Sequence, residues 1–172
     1  ITNLSNKFQV FCYDKVQNVK YKGIKAITLH EGEQHTYIRK SINVDEGNNL
    51  IYIFFEVGII IKNVTPNWDI NIICLHILEL LLQEKFFTEL RTKEQTGYIV
   101  KSFIRNYADE RGYVTGFAFM VQSPHVYPTD LKNRIKKFIT DEYENLKNID
   151  DNEIESLKKT FVLTMKQKFE TQ

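Results

Sequence analysis

Between residues 98 and 122 the chain alternates with a period of two. YIVKSFIRN (98–106) and YVTGFAFMVQ (113–122) are rich in β-branched and aromatic residues, and ADERG (108–112) between them has turn chemistry, so two paired strands are predicted. On the second strand Tyr113, Thr115, Phe117, Phe119 and Val121 share one face, while Val114, Gly116, Ala118 and Met120 share the other. The small residues on that second face leave room for a helix to approach. Further upstream, HTYIRKSIN (35–43) and LIYIFFEVG (50–58) flank DEGNN (45–49) and predict a hairpin. FQVFCY (8–13) and IKAITL (24–29) are two more extended candidates.

Elsewhere the period lengthens to that of a helix. From Trp68 to about Gln95 apolar residues recur at helical spacing, after a start signal at Thr65-Pro66-Asn67 and with Asp69 in the first turn. They surround the axis between Ile70 and Leu82, the pattern of a helix buried against other elements, with a bend or break expected near Gln83. Gly97 suits the left-handed position just past a helix end. Leu131, Ile135, Phe138, Ile139 and Leu146 mark another amphipathic helix. Asp150 and Glu153 form a capping box opening a last one, with Ile154, Leu157, Phe161, Met165 and Phe169. Strands, long helix, two strands, two helices: this order predicts an α+β, two-layer sandwich of a mostly antiparallel sheet with helices packed on one face.

Composition narrows what such a domain could do. With 172 residues, 42% of them hydrophobic and 26% charged, the chain is long and apolar enough for one sizeable core. Its net charge of +1 supplies no electrostatic reason to expect a nucleic acid or an anionic membrane. The basic run KNRIKK (132–137) reads as the solvated face of a helix. INIICLHILELLL (70–82) is too short and too polar to span a bilayer. Cys12 and Cys74 lack C-x-x-C spacing, so neither a disulfide framework nor a cysteine-rich zinc site is expected, and Cys74 reads as packing. The sequons at Asn3 and Asn63 would matter only in a secreted protein. The sequence opens at Ile1 with no signal-peptide pattern and closes inside a helical pattern without a cap, so part of a longer polypeptide is expected, with a lean towards the cytosol.

Candidate chemistry is sparse. In HEGEQH (30–35) the two histidines are five residues apart, about 500° of helical rotation, so they cannot share a face as zinc-binding H-E-x-x-H or H-x-x-E-H histidines do. His76 reads as a satisfied side chain in an apolar helix, and His125, beside Pro124, as a loop residue. Phosphate-cradling glycine motifs and the G-x-S-x-G elbow are missing from the sequence. There remains LRTKEQTGY (90–98), where a helix ends and a strand begins. Taken as residues alone, Arg91 is a helix cation with Glu94 or another neighbouring acid as its partner and Tyr98 an aromatic opening a strand. A second reading brings the two together: if the chain reverses at Gly97, a guanidinium and a phenol converge into a donor-rich corner suited to a peptide carbonyl or an oxyanion.

The run FFTELRTKEQTGYIVKS (86–102) resembles the insulinase/pitrilysin type of zinc peptidases, whose C-terminal halves carry R-T-K-E-Q-L-G-Y-I-V; nine of ten positions agree, Thr96 replacing an apolar residue. NNLIYIFF before the helix and FAFMVQSP after it fit the same family. The resemblance implies an insulinase-like C-terminal-half α/β domain over residues 35–172, incomplete at its C-terminus, after a preceding segment or linker at 1–34. It implies zinc endopeptidase chemistry on a peptide substrate in a closed two-half chamber. By the same resemblance the zinc would be held by H-x-x-E-H in the N-terminal half of the same polypeptide, and no metal would be held here. Arg91 and Tyr98 would be substrate-binding, with Tyr98 also the catalytic donor to the scissile carbonyl. No H-x-x-E-H occurs in this chain, so it should be inactive alone. The alternatives are a catalytically inactive insulinase-like scaffold or peptide-binding subunit, and an unrelated peptide-binding domain. An uncovered sheet edge would invite self-association, and Thr96 would loosen the packing beneath the turn.

Overall fold

A computed structural model of the protein describes residues 29–43, 45–61, 68–109 and 112–170. Strand β1 is Asn49–Ile61, helix α1 is Trp68–Phe87, and one π-helical turn at Thr88–Lys93 continues α1 without a break. Strands β2 (Ile99–Asp109) and β3 (Gly112–Ser123) come next, then helices α2 (Pro128–Lys147) and α3 (Asp151–Glu170). The extended candidate at 8–13, nearly all of that at 24–29, Cys12, both sequons, the helix start at 65–67 and the centre of the ADERG turn lie outside the described residues.

The sheet is antiparallel, in the order β1-β3-β2. Because β1 and β2 both run against β3, they are parallel to each other, and parallel strands need a crossover. Helix α1 is that crossover. It must return the chain from the end of β1 to the start of β2, so it finishes at the end of the sheet where β2 begins and β3 stops. Ile99 pairs with Gln122 there, one residue before β3 ends at Ser123. Topology alone therefore gathers the end of α1, the start of β2 and the β3–α2 loop at one place.

The expected α+β sandwich is present, and its helices pack on the large-residue face of β3. Phe119 meets Phe86 of α1 at 5.0 Å and Phe138 of α2 at 6.4 Å between ring centroids, and Phe86 and Phe138 touch each other at 5.1 Å. Phe86, Leu90, Val121, Leu131 and Ile135 are fully enclosed in this layer. Helix α3 joins through α1, where Phe161 stacks on His76. The small-residue face of β3 is filled by aromatic rings from its neighbours rather than by a helix. The Phe54 ring lies against Gly116, and Phe54 and Tyr107 meet edge to face at 5.3 Å. On the same face Tyr52 and Tyr107 share a hydrogen bond of 3.1 Å between hydroxyls; burial, then that bond, push the Tyr52 phenol above its usual range.

Three expectations are corrected. No strand forms at 35–43, and Tyr37, Ile38 and Ile42 are exposed, so the expected hairpin is absent; β1 pairs instead with β3. β-propensity reflects packing on a half-buried pleated surface, and among the described residues this stretch has no such surface to pack on. Helix α1 runs through Gln83 without interruption and changes character only at Thr88. Its apolar girdle is buried on one side, leaving Ile70, Ile73 and Cys74 exposed, so Cys74 is not core packing.

Polar side chains also tie helices to sheet. Glu79 accepts the Ile104 N–H of β2, an edge strand among the described residues, at 3.1 Å while its other oxygen meets His76 Nδ1 at 3.3 Å, so this edge donor is satisfied. The last helix opens with Glu153 N–H on the Asp150 carbonyl, and the Asp150 carboxylate accepts from Asn152. In KNRIKK, Ile135 is enclosed, Arg134 pairs with Glu94 and Lys137 with Asp141; the face is partly solvated and partly docked.

Candidate functional site at the end of the long helix

At Thr88 the helix widens from i→i−4 to i→i−5 bonding, and Glu94 N–H reaches the Glu89 carbonyl at 2.9 Å. The extra residue per turn changes the rotation of the helix end, so Arg91 does not point where a continuous α-helix would send it. Leu90 anchors the widened turn by complete burial. Its carbonyl, one of the orphan acceptors at a helix end, receives two bonds from Thr96, one from the backbone N–H at 2.9 Å and one from Oγ1 at 2.8 Å. Thr96 is itself fully buried. It does not loosen the turn, as its replacement of an apolar residue suggested; it fastens it. Thr96→Val preserves shape and removes one of the two bonds, and should cost about 1 kcal/mol in urea unfolding. Unchanged stability would show that the hydroxyl is not used.

The reversal itself is made by two residues with separate tasks. Gln95, not Gly97, takes the left-handed conformation, at φ 50°. For a residue with a β-carbon this costs roughly 1–2 kcal/mol. Gly97 is required by proximity: a β-carbon there would lie 1.9 Å from the Gln122 carbonyl oxygen and 3.0 Å from Ser123 Cα. Only a residue without a side chain lets the chain slide this close under the end of β3 before entering β2. Glu94, just ahead, holds Arg134 of α2 by an ion pair of 2.5 Å.

These constraints bring Arg91 and Tyr98 together. The guanidinium carbon stands 5.5 Å from the Tyr98 ring centroid, over its face. Such stacking is worth roughly 0.5–1 kcal/mol at an exposed site. It occupies the face of the Tyr98 ring, and among the described residues neither the Arg91 N–H groups nor the phenol hydroxyl has a hydrogen-bond partner, so both can donate. Tyr98 is 75% exposed and Arg91 half-buried. Both line an open groove of about 540 Å³ with Phe87, Thr92, Gln95, Gly97 and His125. Glu94 is not the partner of Arg91, since its carboxylate holds Arg134.

Residues 77–172, more than half of the chain, match the family described as PQQ synthase PqqF-like, C-terminal lobe domain 4. The chain belongs to this insulinase-type peptidase family. Among curated relatives it is 28% identical to a nardilysin-like protein of Arabidopsis thaliana over 73% of its own length, and 26% identical to insulin-degrading enzyme-like 2 of the same plant over 77%. The chain covers 12% of the length of each relative. It is a C-terminal-lobe domain, and the corner formed by Arg91 and Tyr98 lies wholly within the matched residues of this insulinase-type fold.

Two residues of the groove, Phe87 and His125, could not be assigned to it from sequence. Phe87 is 47% exposed at its wall, and nothing in the apolar run separates it from the buried Phe86 beside it. His125 places Nε2 3.1 Å from the Gln95 carbonyl, a contact spanning 30 residues that no local pattern could reveal. The other histidine-rich stretch is a turn with Gly32 at φ 80°, where exposed Glu33 accepts from the His30 N–H and pairs with His35. The His30 N–H, then His35, hold the Glu33 carboxyl below its usual value. Among the described residues no group of three or more His, Cys, Asp or Glu is placed to hold a metal ion. No described helix is long and apolar enough to cross a membrane.

Proposed function

We propose that this chain supplies the substrate-contacting corner of a zinc-dependent endopeptidase whose metal and general base are carried by another part of the same polypeptide. The observation that carries the reading is the convergence of Arg91 and Tyr98 over one open groove, with their donor atoms unspent. A peptide lying along the groove presents carbonyl oxygens, which only accept. Tyr98 donates to the scissile carbonyl, and the bond strengthens as that oxygen gains charge on the way to the tetrahedral species, so its benefit falls on the transition state. Arg91 donates to a neighbouring backbone carbonyl whose charge does not change, so its benefit falls on binding. On this reading the chain cleaves nothing by itself and needs the zinc-bearing half.

The division of labour is testable. In the full-length protein, Arg91→Gln should raise KM about tenfold, the cost of a charge-assisted hydrogen bond, with a smaller fall in kcat. Wild-type KM and kcat in that variant would remove Arg91 from substrate binding. A full-length protein that binds peptide through this corner without cleaving it would favour a scaffold or peptide-binding subunit.

A further inference from the structure

We propose that His125 is a positioning residue for the Arg91–Tyr98 corner, acting through the carbonyl of Gln95; its significance for catalysis rests on the proposed peptidase function. The bond between His125 Nε2 and the Gln95 oxygen, at 3.1 Å, joins the β3–α2 loop to the reversal that separates Arg91 from Tyr98. A carbonyl only accepts, so the hydrogen sits on Nε2, whether the ring is neutral or cationic. The partner thus fixes the ring's tautomer.

His125 is itself held in place. Ser123 Oγ, fully buried at the end of β3, accepts the N–H groups of His125 at 3.3 Å and Val126 at 2.8 Å, turning the loop so that the ring faces the groove. On the far side of this contact, Gln95 occupies its strained left-handed conformation, with no flanking element of regular structure between Lys93 and Ile99. Thr96 and Gly97 fasten the chain after Gln95, and Glu94 fastens it before. At Gln95 the contact from elsewhere in the fold is the histidine. Releasing it leaves the peptide plane between Gln95 and Thr96 held only through the Thr96 N–H on the Leu90 carbonyl, a bond that then opens more readily, and this is the hinge through which Tyr98 is aimed relative to Arg91.

The Thr96 amide reports on the hinge, being buried and bonded to Leu90, and its hydrogen exchange can be followed by NMR in the 172-residue chain. His125→Ala should accelerate exchange at Thr96 about fivefold or more by promoting local opening, while exchange at Val121 in the core strand stays at the wild-type rate. His125→Gln, whose amide can donate in place of the ring, should restore Thr96 protection to within about twofold of wild type. Unchanged exchange at Thr96, equal effects of Ala and Gln, or equal acceleration at Val121 would each overturn the proposal. In the full-length protein His125→Ala should lower kcat about tenfold with KM nearly constant, because misaiming a donor by a fraction of an ångström is felt mostly in the transition state. If the exchange results hold but Tyr98→Phe turns over normally, the positioning role stands and the proposed function falls. If Tyr98→Phe is impaired while His125→Ala is not, the reverse is true.

Discussion

Tyr98→Phe is expected to lower turnover of the full-length protein at least tenfold, and by about 10²–10³ if the hydroxyl is a full oxyanion donor. The substitution is unusually clean here. Tyr98 is mostly exposed, so no buried bond is lost, and Phe retains the ring face over which the Arg91 guanidinium lies. KM should therefore change little, and kcat and kcat/KM should fall together, the signature of an interaction made only in the transition state. Steady-state cleavage of a fluorogenic peptide, with a thermal melt to show an intact fold, checks both halves of the expectation. Near-normal turnover would take Tyr98 out of the chemistry.

Gly97→Ala is expected to act on the fold instead, with a loss on the order of 3 kcal/mol or more from overpacking against atoms that cannot step aside. The added carbon would meet the Gln122 oxygen at 1.9 Å, its carbon at 2.8 Å and Ser123 Cα at 3.0 Å, all of them backbone of the central strand. Relief requires parting β2 from β3 where Ile99 pairs with Gln122, and that is also where the corner is built. Because folding free energies are only about 5–15 kcal/mol, such a loss should be plain in the midpoint of urea unfolding. Gly47→Ala is the matched control, since nothing lies within 4 Å of a β-carbon there. Equal stability of the two variants would refute the close approach as the reason for Gly97.

The contrast between these two positions reflects what could be read from sequence. Strand β2 and helices α2 and α3 were legible because each turns one face inward and a covered face writes its period into the order of residues, whereas β3, covered on both faces, was legible from its run of β-branched and aromatic residues. The pair Arg91 and Tyr98 was legible as a motif, and the fold brings them together. The route was not. A helix running on to about Gln95 and a glycine reversal were expected, whereas the chain uses a π-helical turn, a left-handed Gln95 and a glycine needed for clearance. A change from i→i−4 to i→i−5 bonding leaves no compositional trace at Thr88–Lys93, and close approach depends on what lies on the neighbouring strand. The absent hairpin at 35–43 failed for a related reason: Tyr37, Ile38 and Ile42 have strand-like character but stand exposed, with no partner surface among the described residues, and propensity without burial does not make a strand. Thr96 misled in the opposite direction, since a hydroxyl in an apolar slot looks like a defect until its acceptor, the Leu90 carbonyl, is seen.

The most direct measurement is a structure of the full-length protein with a non-cleavable peptide analogue bound. The account predicts the Tyr98 hydroxyl within hydrogen-bond reach, about 2.5–3.0 Å, of the carbonyl at the blocked bond, and an Arg91 N–H on the adjacent backbone carbonyl at about 2.7–3.2 Å. A peptide lying elsewhere, with both side chains still directed into open solvent, would contradict it.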